Sequence, residues 1–560
     1  MTQMTGSRYF AEAMQAYEVS HLFFVPVILL KAMGEMDGMG ITRVSAHSEK
    51  SAAYMADGYA RTSGKPGICM AQTVGAANLA AGLRDAYLAR SPVIAISGGR
   101  LPESKHRFAY QEIEDFQLYE PVTKFNAQVD QASRLPDLLR QAFRAVTSGC
   151  PAPAHLELGG IIGQVVDEEA DIDTTFESRF TRLPAFRPMA EPEDVRRVAE
   201  LLAGASRPVM VAGGGVKSSG AQSELVALAR KLDMPVATSL NAKGSIAEND
   251  PLSIGLVGTY SRECTNRIVC EADLVFYVGS LTGGQVTNNW TVPQPGTPVI
   301  QLDIDPVGLG RNYPNVASLC GDAKAVLGQL IEAADGVAVN AGREAWHARA
   351  AELIAEWRAS VESDVHSDAT PIRPERMAKE ISDFLPSDAI VLAGTGHSGL
   401  WAGMFVELTS PEQTFLRAAG SLGWAFPAAL GAKCASPDRP VICFTGDGGF
   451  YYHMSDLETA VRYGINAVIV VNNNRSLSME REIYTDECGL DTAEARALWI
   501  YEDFNLAKVA ESMGCLGIRV EKPSEMQPAL EQAVAANRPV VVDVVGDMDI
   551  MAPLGWSPSA

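Results

Sequence analysis

The stretch that decides the fold is Val441–Ser476, VICFTGDGGFYYHMSDLETAVRYGINAVIVVNNNRS. Its opening run, Val441–Phe444, is short, apolar and closed by glycine, which predicts a buried strand; Leu457, Ala460, Val461 and Tyr463 then recur at helical spacing. Ala467–Val471 predicts a second strand. Two strands joined by a right-handed crossover lie parallel and adjacent, with their carboxyl ends side by side. Asp447 and Asn474 then share one crevice. Glycine-rich backbone there offers N–H groups to a phosphate, and a carboxylate facing an amide oxygen suits a hard cation such as Mg2+.

Outward from this stretch, strands and helices alternate through most of the 560 residues. In the first third the pattern predicts strands at Leu22–Val25, Gly67–Gln72 and Pro92–Ser97, with helices over Glu49–Thr62 and Ala76–Ala89. Such alternation implies parallel sheets covered on both faces. The reading is α/β, with three doubly wound parallel-sheet domains at 1–166, 190–335 and 370–548. An acidic, proline-containing stretch from Asp167 to Asp194 reads as a linker, and a second, helical linker covers Gly342–Ser363. Gly213-Gly214-Gly215, after a central strand, fits either a nucleotide cradle or a tight turn. Glu49, in the first turn of its helix behind Ser48, fits helix capping as well as chemistry.

Bulk properties exclude several classes. With 46 basic and 68 acidic residues the chain carries a net charge of −22, which disfavours nucleic acid and anionic membrane surfaces as partners. The nine cysteines form no CxxC pair and several lie in apolar runs, as expected of reduced thiols in a cytoplasmic protein. The first apolar run, Leu22–Leu30, is broken by Pro26, and no run approaches the ~20 residues that span a bilayer.

Gly446-Asp447-Gly448 followed by Asn473-Asn474 resembles the thiamin diphosphate motif, GDG with NN at a set distance. HSEKSAAYMADGYAR around Glu49 is similar to that family's catalytic-glutamate helix. TVGAAN, Thr73–Asn78, with PVIAISGG beyond it, resembles the acetohydroxyacid (acetolactate) synthase type. The resemblance covers nearly the whole chain. It implies a pyrimidine-binding domain, a central Rossmann-like domain and a diphosphate-binding domain, with the cofactor bridging the first domain of one subunit and the last of another. A homodimer is then the minimum active unit and a homotetramer the expected assembly.

Residue by residue, the resemblance places the cofactor against Glu49, Thr73 and Asn78 in the first domain. In the last it places it against Gly396, His397, Ser398, Leu422, Gly446, Asp447, Gly448, Gly449, Asn474, Ser476 and Leu477. Asp447, Asn474 and the main-chain oxygen of Ser476 are the implied Mg2+ ligands. Leu422, in Gly420-Ser421-Leu422-Gly423, is the implied apolar prop that bends the cofactor. Glu49 is the acid at the aminopyrimidine, Gln111 a hydrogen-bond donor to a substrate carbonyl, and Glu480 a proton donor or acceptor if it points inward; as part of Glu480-Arg481-Glu482 it also fits a solvated charge run.

Departures from the synthase pattern concern the substrate. Val25-Pro26-Val27-Ile28 replaces a PGG segment, and Ile483 stands where the synthases carry a tryptophan. Leu281 and Val257 replace a flavin-contacting arginine and a histidine, so FAD or ADP in the central domain is in doubt. The implied activity is a 2-oxo acid decarboxylase or carboligase on a small-molecule carbonyl. A C–C lyase acting on acyloins, 2-hydroxyacyl-CoA or diketones shares every cofactor residue, and a flavin or nicotinamide oxidoreductase built on the central domain is the alternative from another class.

Overall fold

The computed structural model describes residues 1–558, apart from the side chain of residue 486. Three sheets of six parallel strands organise the chain. The first sheet holds the strands His21–Phe24, Thr42–Ser45, Gly67–Ala71, Val93–Gly98, Phe125–Val129 and Ala154–Leu158. The last holds Ile390–Ala393, Thr414–Arg417, Val441–Gly446, Val468–Asn473, Leu516–Val520 and Val540–Val545. Counted in chain order, both run second, first, third, fourth, sixth, fifth; the central sheet, from Pro208–Ala212 to Asn315–Cys320, runs third, second, first, fourth, fifth, sixth. Most interior strands of the three sheets are buried along nearly their whole length and read as apolar runs, whereas edge strands such as Thr42–Ser45, Phe125–Val129 and Asn315–Cys320 are partly exposed.

The deciding stretch folds as expected in outline. Val441–Gly446 and Val468–Asn473 are parallel neighbours, paired from Ile442–Val468 to Gly446–Asn472. The segment between them is two helices, Asp447–Tyr451 and Asp456–Tyr463, where the spacing predicts one.

The first linker expectation is corrected, and the helix expected over Gly342–Ser363 is present. Within the stretch from Asp167 to Asp194, Glu169–Ile172 is a strand, antiparallel to Thr2–Thr5. Its partner lies at the other end of the domain, so no local periodicity announces it. The second, Arg343–Val365, is one long helix seated on the central domain through the buried Trp346, Ala350 and Leu353. No helix is long and apolar enough to cross a membrane, among the residues described.

The outer domains meet through the helices Glu49–Ser63 and Ala425–Ala435. A Cβ on Gly58 would stand 2.0 Å from the Ala428 carbonyl oxygen, and one on Gly431 would stand 1.8 Å from that of Met55. Only glycine lets the two backbones approach this closely. Around this contact, Trp424 Nε1 donates to Asp57 at 2.8 Å and Ser51 donates to Asp456.

Candidate active site

At the carboxyl ends of the third and fourth strands of the last sheet lies a pocket of about 300 Å3. It gathers Gly396, His397, Ser398, Leu422, Gly446, Asp447, Gly448, Gly449, Asn474, Ser476, Leu477 and Glu480. Two adjacent parallel strands therefore do what the sequence pattern predicts, aiming their terminal loops into one crevice.

Asp447 is its electrostatic centre. The residue is 0% exposed; Oδ1 accepts from the Gly448 N–H at 2.7 Å, while Oδ2 is buried with no partner among the described residues. Burial pushes its carboxyl up to about 7, against the opposing pull of backbone N–H groups at Gly448, Arg475 and Ser476. A buried carboxylate with one orphaned oxygen is a cation's partner or a protonated acid. Asn474 supplies the second oxygen: its Nδ2 donates to Ser478 Oγ at 2.8 Å, which orients the amide and leaves Oδ1 as its acceptor. Ser476 is fixed by a bridge to Ile500, in which Leu477 N–H donates to Trp499 O and Tyr501 N–H to Arg475 O. In such a pair the main-chain groups of Ser476 itself point away from Ile500. One carboxylate, one amide oxygen and one carbonyl form an oxygen set suited to Mg2+.

Asn473, beside Asn474 in the sequence, faces the other way. Its Nδ2 donates to Phe504 O at 2.9 Å and to the buried Asp543 at 2.8 Å, so it braces the strand.

The rest of the pocket is shaped for a phosphate-bearing ligand. Gly396 adopts φ 64°, a left-handed conformation that suits glycine, and opens the helix His397–Phe405. The ring of His397 lies in the lining with its pKa pushed down to about 4 by burial, so it is neutral at physiological pH. A Cβ on Gly448 would come within 2.6 Å of Leu477 Cδ2. Leu422 is half-buried in the wall rather than packed in the core. Glu480 also lines the pocket, while its neighbour Arg481 turns outward to Asp549 at 3.0 Å, so the charge run is divided between the site and solvent. Ile483 is 48% exposed.

Sequence reasoning missed Tyr260, which reaches the lining from the central domain, and Tyr501, which sits over Gly448. Neither belongs to a motif. Only their distant contacts bring them here.

All four first-domain candidates are absent from this pocket; Glu49, Thr73 and Asn78 lie together at the carboxyl end of the first sheet, and Gln111 lies in the segment that follows the strand Val93–Gly98. Ser48 makes no side-chain capping bond, and the carboxylate of Glu49 does not cap its own helix. It lies over the turn at Gly75, where a Cβ would meet Oε1 at 2.4 Å, and Oε2 accepts from Asn78 Nδ2 at 3.2 Å. Thr73 turns its hydroxyl inward toward Ile161 O at 3.1 Å. Gln111 has φ 60°, and its Oε1 is buried without a partner among the described residues.

A second cleft of about 390 Å3 opens where the central domain meets the other two, lined by Gly213, Gly214, Gly215, Leu281 and Val257 together with Arg90 of the first domain and Arg417 of the last. Gly213 and Gly215 lie against the backbone of Gly279, where a Cβ would come within 2.1 and 2.7 Å. Close packing of the turn on the next strand thus accounts for two of the three glycines.

Three parallel-sheet domains, with a phosphate-shaped and cation-suited crevice on the last and an oriented glutamate on the first, define an enzyme that works through a bound diphosphate cofactor. The comparisons narrow the class. The chain belongs to the thiamine pyrophosphate enzyme family, whose N-terminal TPP binding, central and C-terminal TPP binding domains match residues 4–118, 195–330 and 394–544. It is 33% identical to a probable acetolactate synthase large subunit of Methanocaldococcus jannaschii, over 97% of this chain and 92% of that protein. It is 30% identical to an acetolactate synthase of Mycobacterium avium (98% and 88% covered). Identity to the acetolactate synthase large subunit of Haemophilus influenzae is 27% (97% and 95%).

Proposed function

We propose that the protein is a thiamin diphosphate- and Mg2+-dependent 2-oxo acid decarboxylase or carboligase of the acetolactate synthase type. The observation that carries this reading is the single crevice shared by Asp447 with its orphaned oxygen, Asn474 and the Gly396–Ser398 turn. When bound, the cofactor would supply a nucleophilic thiazolium carbon and an electron sink for cleavage of a C–C bond next to a carbonyl. Asp447, Asn474 and the Ser476 carbonyl hold the cation. Backbone N–H groups at Gly396–Ser398 and Gly448–Gly449 receive the diphosphate. Leu422 and Leu477 would supply the apolar wall against which the cofactor is held.

Glu49 of the partner subunit completes the site by holding a proton at the aminopyrimidine nitrogen, since within one chain Glu49 stands outside the pocket. Asn78 orients that carboxylate. Gln111 donates to the substrate carbonyl, and Glu480 holds or releases a proton where the new C–H or C–C bond forms. The assembly is a homodimer at least, paired into a homotetramer, in the cytoplasm. ADP or FAD would lie along Gly213–Gly215; Leu281 and Val257 offer a flavin neither charge nor hydrogen bond, and no step is assigned to it.

One observation favours a second reading. Glu480 on the pocket wall repels a second 2-oxo acid, which suits a C–C lyase on acyloins, 2-hydroxyacyl-CoA or diketones. Steady-state assays with pyruvate, benzoylformate, benzoin and an acyl-CoA panel separate the two. Turnover of pyruvate supports the first; turnover of benzoin or an acyl-CoA without pyruvate moves the assignment to the second. Activity retained after thiamin diphosphate is removed, with flavin in the absorption spectrum, overturns both. For the acid, Glu49→Gln should retain cofactor binding and lose at least ~100-fold in hydrogen–deuterium exchange at the thiazolium C2.

A further inference from the structure

The loop that carries Leu422 has little to hold it from within. Gly420 has φ 146° and Gly423 φ 87°, so two hinge-capable residues flank Ser421 and Leu422. What fixes it comes from another domain. Asp85, on the first-domain helix Ala76–Leu88, is fully buried; its Oδ1 accepts from the Ala419 N–H at 2.8 Å and its Oδ2 from the Ser421 N–H at 2.9 Å.

A carboxylate that spends both oxygens on two main-chain N–H groups of one loop sets the position of that backbone as well as satisfying it. The side chain of Tyr54, on the Glu49 helix, is buried close to Ser421 as well. Leu422 follows Ser421 directly, and its side chain reaches the pocket wall. A neutral polar residue could not replace the carboxylate, because an amide would face one of the two N–H groups with its own NH2.

We propose that Asp85 is a positioning residue that holds Leu422 against the cofactor from across the domain boundary. It touches neither cofactor nor substrate. The inference rests on the reading of Leu422 as the prop that bends the cofactor. It adds a link, because Asp85 and Tyr54 sit on the same domain as Glu49. The domain that serves one pocket with its glutamate thereby sets the geometry of the pocket on its own chain.

The first test needs no cofactor. Amide hydrogen exchange of the cofactor-free protein should show residues 418–424 protected, and Asp85→Asn should raise exchange there at least tenfold. The second test uses the loaded enzyme. Asp85→Asn should slow C2 deuterium exchange about tenfold or more while cofactor affinity changes less than threefold. Asp85→Glu, which keeps the charge but displaces the carboxylate, should fall between.

Trp424→Phe is the control, since it removes the hydrogen bond to Asp57 at the same boundary and leaves the Asp85 contacts in place. It should leave C2 exchange unchanged. If Leu422→Ala leaves C2 exchange unchanged, the reading of Leu422 as the prop fails. If Leu422→Ala slows it and Asp85→Asn and Asp85→Glu do not, the role given to Asp85 is overturned. Equal slowing in Trp424→Phe also overturns it, because general loosening of the boundary would then suffice.

Discussion

The first and last domains share one strand order, yet they offer opposite halves of a reaction site. In each, the chain leaves the second strand and enters a helix that packs on its counterpart in the other domain. In the first domain that position carries Glu49; in the last it carries Leu422. The third strand of the last sheet ends in Gly446-Asp447-Gly448, whereas that of the first ends at Ala71 before Gln72 and Thr73, with no acid to meet a cation. Topology thus fixes where a side chain can reach, and the side chain fixes what happens there. On the proposed function, one fold used twice would yield an anion-and-cation seat on one side and a proton-holding group on the other.

The sharpest way to break this division of labour is to disable each half alone. Asp447→Ala should abolish Mg2+-dependent cofactor binding, a loss beyond ~100-fold by calorimetry, because it removes the only carboxylate of the oxygen set. The first-domain variant Glu49→Gln should still bind. If Asp447→Ala binds normally and Glu49→Gln does not, the roles of the two domains are reversed.

Mixing the halves asks whether they meet between chains. Refolding Asp447→Ala together with Glu49→Gln in equal amounts gives hybrid dimers in which one of the two sites has both residues intact. Random pairing then restores roughly a quarter of wild-type activity. A site built within one chain would restore none.

The symmetric contact itself is a smaller target. Gly431→Val places side-chain atoms where the Met55 carbonyl stands, and overpacking of this kind costs about 3 kcal/mol. The midpoint of chemical denaturation should fall accordingly. Gly464→Ala, at the end of the helix Asp456–Tyr463 with open space around its Cβ position, carries only the milder cost of a left-handed φ and should shift the midpoint less.

The interior strands of the outer sheets, such as Gly67–Ala71, Val93–Gly98 and Val441–Gly446, were legible because they are buried on both faces and apolar, and their boundaries fall within a residue or two of the spacing; the half-exposed edge strands Thr42–Ser45, Phe125–Val129 and Leu516–Val520, and Ala154–Leu158 with its His155 and Glu157, were not. The crevice was legible because Asp447 and Asn474 end adjacent strands. The division between Asn473 and Asn474 was not, since it depends on Asp543, some seventy residues away. The inward turn of Glu480 was equally hidden, as periodicity cannot tell which residue of a charged triplet meets a pocket. Asp85 carries no motif at all. Its meaning lies in two N–H groups more than three hundred residues later.

The smallest predicted effect bears on His397, which the last domain places in the same pocket lining as Asp447 and Asn474 and for which the first domain has no counterpart there. Burial lowers its folded pKa to about 4, below the ordinary value of 6.5. A depressed folded pKa contributes stability that is complete above pH 6.5 and is lost as pH falls through about 4. His397→Gln should therefore flatten the acid side of the thermal-unfolding profile of the cofactor-free protein over that window. At neutral pH the ring is uncharged and would give a diphosphate one N–H bond, worth about 1 kcal/mol, so His397→Ala, which removes the donor, should weaken cofactor binding only several-fold. A loss of 100-fold or more that deepens below pH 6.5 would mean a charged imidazolium faces the diphosphate, and the burial that keeps the ring neutral would have to be undone by the ligand.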